Sequence, residues 1–245
     1  MHFFKIILSI FTAVLFTACT SPKLFTNDMK IVKVYKQGRL YKTPDLDESL
    51  KNIEANVGDS IYIRIFKEEN ILELWVKVDD KYKLGKVYPI CAYSGDLGPK
   101  LKQGDKQSPE GFYIIRKNQL KTRSKYHLAI NIGFPNRYDK NHNRTGTYLM
   151  IHGKCSSTGC YAMGDSQIEE IFMMADNAFD NGTKSISVHI FPFKMTQENL
   201  DCHSGNRWYP FWKNLKLGYD IFERYRVVPI VKTSKKRYRF FMKKG

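Results

Sequence analysis

Long hydrophobic runs are missing from this sequence. The most apolar stretch, Ile6 to Phe16, is too short to span a bilayer as an ordinary transmembrane helix. Acidic residues are scarce, 24 Asp and Glu against 40 Lys and Arg, giving a formal charge of +16 that favours anionic partners. No nucleic-acid-binding motif accompanies those cations, which are scattered through patterned segments, so nucleic acid is not an expected partner. For an exported chain, wall polymer and anionic lipid headgroups are the candidates. No internal repeat and no regular paired metal-ligand motif occurs, so neither a solenoid nor a zinc finger is indicated, and no cofactor is expected. What is present is aromatic: 16 Phe and 15 Tyr within 42% hydrophobic residues, enough to bury a sizeable core. The length of 245 residues suits one principal domain with modest additions.

The N-terminus reads as an export signal over residues 1–18. Lys5 supplies the positive start, Ile6 to Phe16 the apolar centre, and Thr17-Ala18 the small residues of a cleavage site. Cys19 follows at once, and Phe16-Thr17-Ala18-Cys19 resembles a bacterial lipobox, although Phe16 stands where Leu is usual. Cys19 is therefore a candidate lipidation site, with plain cleavage or a retained anchor as alternatives; Thr20 in place of Asp would favour the outer membrane. Residues 19–30 then read as a linker. Export implies an oxidising compartment. Cys91, Cys155, Cys160 and Cys202 could form two disulfides; if Cys160 stays a free, reactive thiol, at most one bridge is left among the others, and the sequence does not choose its partners.

The remainder alternates between two periods. Residues 31–36 suggest a short strand, and 46–56 a helix with Leu50, Ile53 and Val57 on one face. Ile61, Ile63 and Ile65 share one strand face, and Leu72, Leu74 and Val76 another. A third strand from Tyr82 to Cys91 completes an antiparallel meander. Further strands are expected at Phe112–Ile115, His127–Ile132, Tyr148–Ile151 and Ile186–Phe191. Ser166 to Glu169 fits a capping box opening a helix that buries Ile168, Ile171, Phe172, Ala175, Ala178 and Phe179. A second helix from about Pro210 would bury Phe211, Leu215, Tyr219 and Phe222. The basic, aromatic residues 232–245 show no period, and disorder is the expectation there. The fold class is α+β, mainly antiparallel β, with packed helices over residues 31–195 and a helical C-terminal extension over 196–245.

Reactive side chains are densest in Ile151-His-Gly-Lys-Cys-Ser-Ser-Thr-Gly-Cys160. A thiol attacks only as thiolate, and at a pKa of about 8.5 it needs a base close by. His152 ends a strand, and Cys160 follows across a loop whose Gly153 and Gly159 permit sharp folding. Gly159 would also let a substrate approach the Cys160 amide as an oxyanion donor. His152, Cys155 and Cys160 offer three zinc ligands as a rival reading, with His127, His189 or His203 as a fourth. Ser157 reads as a loop-setting hydroxyl. Tyr138, with Asn136 and Asp139, sits in a polar loop that is either a solvated turn or a groove wall.

His152-Gly153 followed by Ser157-Thr158-Gly159-Cys160 resembles the catalytic signature of the L,D-transpeptidases, murein-modifying cysteine enzymes, in the branch reading HGxCxSxGCxAM. Phe66-Lys-Glu-Glu, Tyr88-Pro-Ile-Cys, Gly98-Pro-Lys-Leu, Gly104-Asp, Pro109-Glu-Gly, Tyr126-His-Leu, Gly133-Phe-Pro-Asn and Phe191-Pro-Phe extend the likeness over about residues 60–225. The resemblance implies a β-sandwich-like catalytic domain with its cleft fed by the loops around 94–108 and 133–146. It gives Cys160 the nucleophile role and His152 the base role, the imidazole oriented by the Gly153 carbonyl. The substrate it implies is a peptidoglycan stem peptide, attacked at a carbonyl beside meso-diaminopimelate to form a thioester. An amine or water would resolve that thioester, cross-linking the wall, attaching protein, or releasing peptide or attached protein. Two departures matter. Thr158 stands where many members carry His, and Tyr161-Ala162 where many carry Arg. Lys100 or Arg137 could replace that cation, and His127, Ser157, Thr158 and Tyr138 are further substrate-binding candidates. A catalytically inactive wall-binding protein is the alternative outside enzymology.

Overall fold

The strand Ile61–Phe66 is buried along its whole length, so both faces of its sheet are covered. This holds in a computed structural model that describes residues 33–36, 39–42 and 45–242. The signal at 1–18, the linker at 19–30 and Cys19 lie outside the described residues. In chain order the elements are β1 (Lys33–Lys36), β2 (Arg39–Lys42), α1 (Leu46–Asn52), β3 (Ile61–Phe66), β4 (Ile71–Val78), β5 (Lys81–Pro89) and β6 (Gly111–Ile115). They continue as β7 (Leu120–Ser124), β8 (His127–Asn131), α2 (Arg137–Asn141), β9 (Met150–His152), β10 (Tyr161–Ala162), α3 (Asp165–Asp180) and β11 (Ile186–Phe191). Last come α4 (Gln197–Cys202), α5 (Tyr209–Tyr225), β12 (Ile230–Ser234) and β13 (Arg237–Phe241).

Two sheets make the body. The larger runs β5-β4-β3-β11-β6 and is antiparallel except where β11 lies parallel to β3. The smaller runs β10-β9-β8-β7, with β9 and β10 parallel. The alternation read from sequence sets the main core: Ile61, Ile63 and Ile65, Leu72, Leu74 and Val76, and Ile186, Val188 and Ile190 pack against Ile130, Ile151 and the apolar face of α3. The mainly antiparallel α+β sandwich is thus as expected.

The opposite face of the larger sheet carries Phe66, Phe112 and Phe191, and α5 covers it with Phe211, Trp212, Leu215 and Tyr219. Polar groups on that face are matched. Arg64 bonds Glu73 through Nε at 2.9 Å and Nη2 at 2.7 Å, and Glu223 through Nη1 at 2.5 Å. Residues 45–242 therefore close both faces of the larger sheet among themselves.

Several local expectations are corrected. Helix α1 stops at Asn52 because Glu54 turns to φ 58°, which leaves Val57 44% exposed. β5 ends at Pro89, and the Cys91 amide bonds Ala162 instead. Gly164 at φ 81°, not Ser166, is the N-cap of α3, and Glu169 bonds His127. Residues 230–241 form the β12–β13 hairpin, with Tyr238 buried at 2% exposure.

Candidate active site

His152 ends β9, the strand between β8 and β10: it pairs with Ala129 on one side and Ala162 on the other. Side chains on neighbouring strands share a face when their pleats match. Cys160 immediately precedes β10, where continuing the register sets it opposite Met150, two residues before His152. The thiol reaches the Tyr148 carbonyl at 3.7 Å. Sulfur and imidazole therefore sit on adjacent chain segments, one pleat apart.

The imidazole is 1% exposed and lies against the Tyr126 ring, centroids 4.6 Å apart. Its Nδ1 is 2.6 Å from the Gly153 carbonyl oxygen. A carbonyl can only accept, so Nδ1 carries the proton and Nε2 of the neutral ring keeps its lone pair. Burial holds His152 below the ordinary histidine pKa, and the Gly153 carbonyl opposes that shift. Gly153 has no room for a side chain: a Cβ would lie 2.6 Å from Asp165 Oδ1 and 2.8 Å from the Tyr126 oxygen. Close approach thus requires glycine there, whereas Gly159 needs it for φ 130°.

The loop between them is tied at several points. Lys154 N donates to Asp165 Oδ1 at 2.7 Å, and Gly164 N to the Lys154 carbonyl at 2.9 Å. The Cys160 carbonyl accepts the hydroxyls of Ser157 at 2.7 Å and Ser108 at 3.1 Å. Ser157 also accepts from the Gly159 amide, so this hydroxyl shapes the loop. A disulfide joins Cys155 to Cys91, anchoring the loop beside β10. It removes Cys155 from the zinc set, so the His152-Cys155-Cys160 ligand reading is corrected. The Cys160 thiol is free and half-buried. Burial pushes its pKa up; the Met150 amide and the Lys100 charge pull the other way.

Lys100 is 3% exposed and ion-pairs with Asp105, whose carboxylate also accepts the amides of Leu101, Lys102 and Gln107. This loop is stitched to the segment before β9. Thr145 N donates to the Leu101 carbonyl at 3.0 Å, and Thr147 N to Gln103 Oε1 at 3.0 Å. Tyr148 follows, and its carbonyl touches the sulfur.

The other sequence candidates fare differently. Thr158 is exposed on the loop. His127 borders Gly153, its Nε2 2.7 Å from Glu169 of α3. Arg137 is exposed on α2. Tyr138 is not a groove wall: it is 5% exposed, stacked on Tyr238 with centroids 4.1 Å apart. Asn136 and Asp139 form the α2 capping box, which is why that loop reads as polar. Missed by sequence reading was Tyr148, 70% exposed at φ 56° beside the sulfur. The expected strand from Tyr148 starts only at Met150, and its apolar neighbours hid the turn.

The family model for the YkuD L,D-transpeptidase catalytic domain matches residues 60–190. The Escherichia coli (strain K12) protein named "Putative L,D-transpeptidase YafK" is 51% identical over 182 residues, 74% of each chain. Among solved structures, the helical cell shape determining protein Pgp2 of Campylobacter jejuni aligns over 78% of this chain and 80% of its own, at 19% identity and TM-score 0.44. Bd1075 of Bdellovibrio bacteriovorus aligns over 74% and 84%, at 14% identity and TM-score 0.39. The matched residues run from just before β3 into β11 and contain both His152, at the end of β9, and Cys160, just ahead of β10. The chain belongs to the L,D-transpeptidase (YkuD) family.

Proposed function

We propose that the chain transfers acyl groups of peptidoglycan stem peptides through a thioester at Cys160. The observation that carries this reading is a free, half-buried thiol one pleat from an imidazole whose Nε2 lone pair is fixed by the Gly153 carbonyl. His152 Nε2 takes the thiol proton as sulfur attacks the carbonyl beside meso-diaminopimelate. The Cys160 amide, opened to substrate by Gly159, donates to the resulting oxyanion. Collapse of the tetrahedral intermediate breaks the amide C–N bond, and His152 returns its proton to the leaving amine. An incoming amine or water then gives a proton to His152, attacks the thioester and restores the thiol. An amine makes this a transpeptidase; water makes it a hydrolase that trims peptide or releases attached protein.

Lys100, buried in its ion pair with Asp105, supplies positive charge toward the sulfur, and the exposed Thr158 and Tyr148 are the side chains left for substrate contact. Such work belongs in the cell envelope, reached through the export signal at residues 1–18, with Cys19 lipidated or the chain simply cleaved. Residues 31–195 would form the catalytic unit and 196–245 its extension.

The test compares purified residues 20–245, which retain every described element, with Cys160→Ala. Each is incubated with intact peptidoglycan, with and without covalently attached protein, and products are read by mass spectrometry. New cross-links, shortened peptides or released protein that vanish with Cys160→Ala support the reading and name the acceptor. Identical products from both chains would overturn it.

A further inference from the structure

After Glu223 the sequence has nine Lys and Arg and no Asp or Glu, and the β12–β13 hairpin sets most of these cations on one surface. The register pairs Lys232 with Arg239 and Ser234 with Arg237, all four exposed. Like charges directly opposite on one face repel, and no carboxylate in either strand or in the turn relieves them. The turn adds to the cost. Lys235 and Lys236 occupy it at φ 46° and 57°, a conformation that favours Asn and Gly. The charge density here runs against both cross-strand and turn preferences.

The hairpin is nevertheless rigidly seated. Tyr238 points inward, stacks on Tyr138 and accepts a hydrogen bond from Asn136 at 2.9 Å. The Asn214 side chain bonds both main-chain groups of Tyr238, at 2.8 and 3.1 Å. The outer face is thus a fixed array. At its open end Ile230 pairs with Phe241, and these two with Met242 are 44%, 49% and 42% exposed. Lys232 Nζ lies 5.5 Å from the Phe241 ring centroid, so cation and apolar surface are contiguous.

We propose that this outer face docks on an anionic phospholipid surface. The acid-free cation array complements headgroup phosphates, and the exposed Ile230–Phe241–Met242 edge enters the interfacial layer beneath them. A soluble polyanion would use the cations alone and leave that apolar edge in water. Nothing in the chemistry of this surface depends on Cys160.

The test uses residues 20–245, so that the N-terminal apolar segment is absent. Vesicle flotation compares phosphatidylcholine alone with phosphatidylcholine containing phosphatidylglycerol. One variant carries Lys232→Gln, Lys235→Gln, Lys236→Gln and Arg239→Gln; a second carries Ile230→Ser and Phe241→Ser. All replaced side chains are exposed, and an unchanged melting midpoint checks the fold. The wild type should bind phosphatidylglycerol vesicles at least tenfold more tightly than phosphatidylcholine, less so as salt rises. The charge variant should lose about tenfold of that affinity, and the apolar variant several-fold while binding polyphosphate as the wild type does. Equal binding by wild type and charge variant would overturn the proposal. So would an apolar variant indistinguishable from wild type on vesicles, which would mark the face as a site for soluble polyanions.

Discussion

Lys67 Nζ lies 3.1 Å from Glu110 Oε1, with both side chains fully withdrawn from solvent. The same ammonium donates to the carbonyls of Asp96 and Gly98, at 2.6 and 3.0 Å, and Glu110 also accepts from the Gly98 amide and the Trp212 indole. One ion pair therefore holds the 94–108 loop, which supplies Lys100 and Ser108 to the site, against α5. Glu110→Leu would leave the ammonium buried and unpaired, at a cost of about 3–5 kcal/mol. Lys67→Met with Glu110→Leu removes both charges and should recover part of that loss. Urea denaturation of the three chains checks the order.

The Cys91–Cys155 bridge spans 64 residues and ends in the loop that carries the nucleophile. Closing a chain of that length stabilises by about 4 kcal/mol in the chain-entropy treatment. Cys91→Ala with Cys155→Ala should lower the melting midpoint by several degrees. It should also lower turnover more than it raises KM, since the loop sets the Cys160 position. Steady-state kinetics of the double variant, which avoids exposing Cys160 to reductants, measures both.

How far the sequence could be read follows from where each signal is local. The triplets Ile61/Ile63/Ile65 and Leu72/Leu74/Val76 alternate because one face meets the main core, and that period needs no tertiary knowledge. His152 and Cys160 were legible as a pair because they lie eight positions apart, with two glycines between them. Tyr138 was misleading for a physical reason: the polarity of Asn136 and Asp139 serves the cap and the buried Tyr113 and Tyr238 hydroxyls, and not solvent. The β12–β13 hairpin was hidden because a Lys-Lys turn carries none of the usual turn residues. The Ser166–Glu169 spacing suits a cap, yet the Asp165 carboxylate bonds Lys154 and Glu169 bonds His127 across to β8. The disulfide partner of Cys155 depended on the Cys91-Ala92 segment beyond β5 pairing with Ala162 of β10, which no spacing reveals.

His189 should contribute a pH-dependent part of the stability. It is buried with Nδ1 2.7 Å from the Tyr62 hydroxyl oxygen, and burial, with a smaller effect of Arg64, pushes its pKa down to about 3. An unfolded histidine protonates near its ordinary value of 6.5. The contribution is therefore complete above that value and lost as pH falls towards 3, by about 1.4 kcal/mol per pH unit. Glu69 runs the other way: burial raises it to about 7, so its contribution is lost as pH rises from 4.5. The stability gap between wild type and His189→Gln isolates the histidine. That gap should shrink by about 2 kcal/mol from pH 7 to pH 5.

The electrostatics of the thiol give the last prediction. Burial raises the Cys160 pKa, and the Lys100 charge is among the groups opposing it. Lys100→Met removes that charge, while the Leu101, Lys102 and Gln107 amides still hold the Asp105 carboxylate. The midpoint for iodoacetamide labelling should then move to higher pH, with labelling several-fold slower at pH 8. Lys100→Arg keeps the charge and should stay near wild type. His152 acts on the other limb. Neutral imidazole is the competent form and burial favours it, so kcat/KM should rise with pH through a value below that of an ordinary histidine. Lys100→Met should leave that acid limb in place while shifting the labelling curve. A labelling midpoint unmoved in Lys100→Met would mean that Lys100 neutralises Asp105 and contributes nothing to the sulfur.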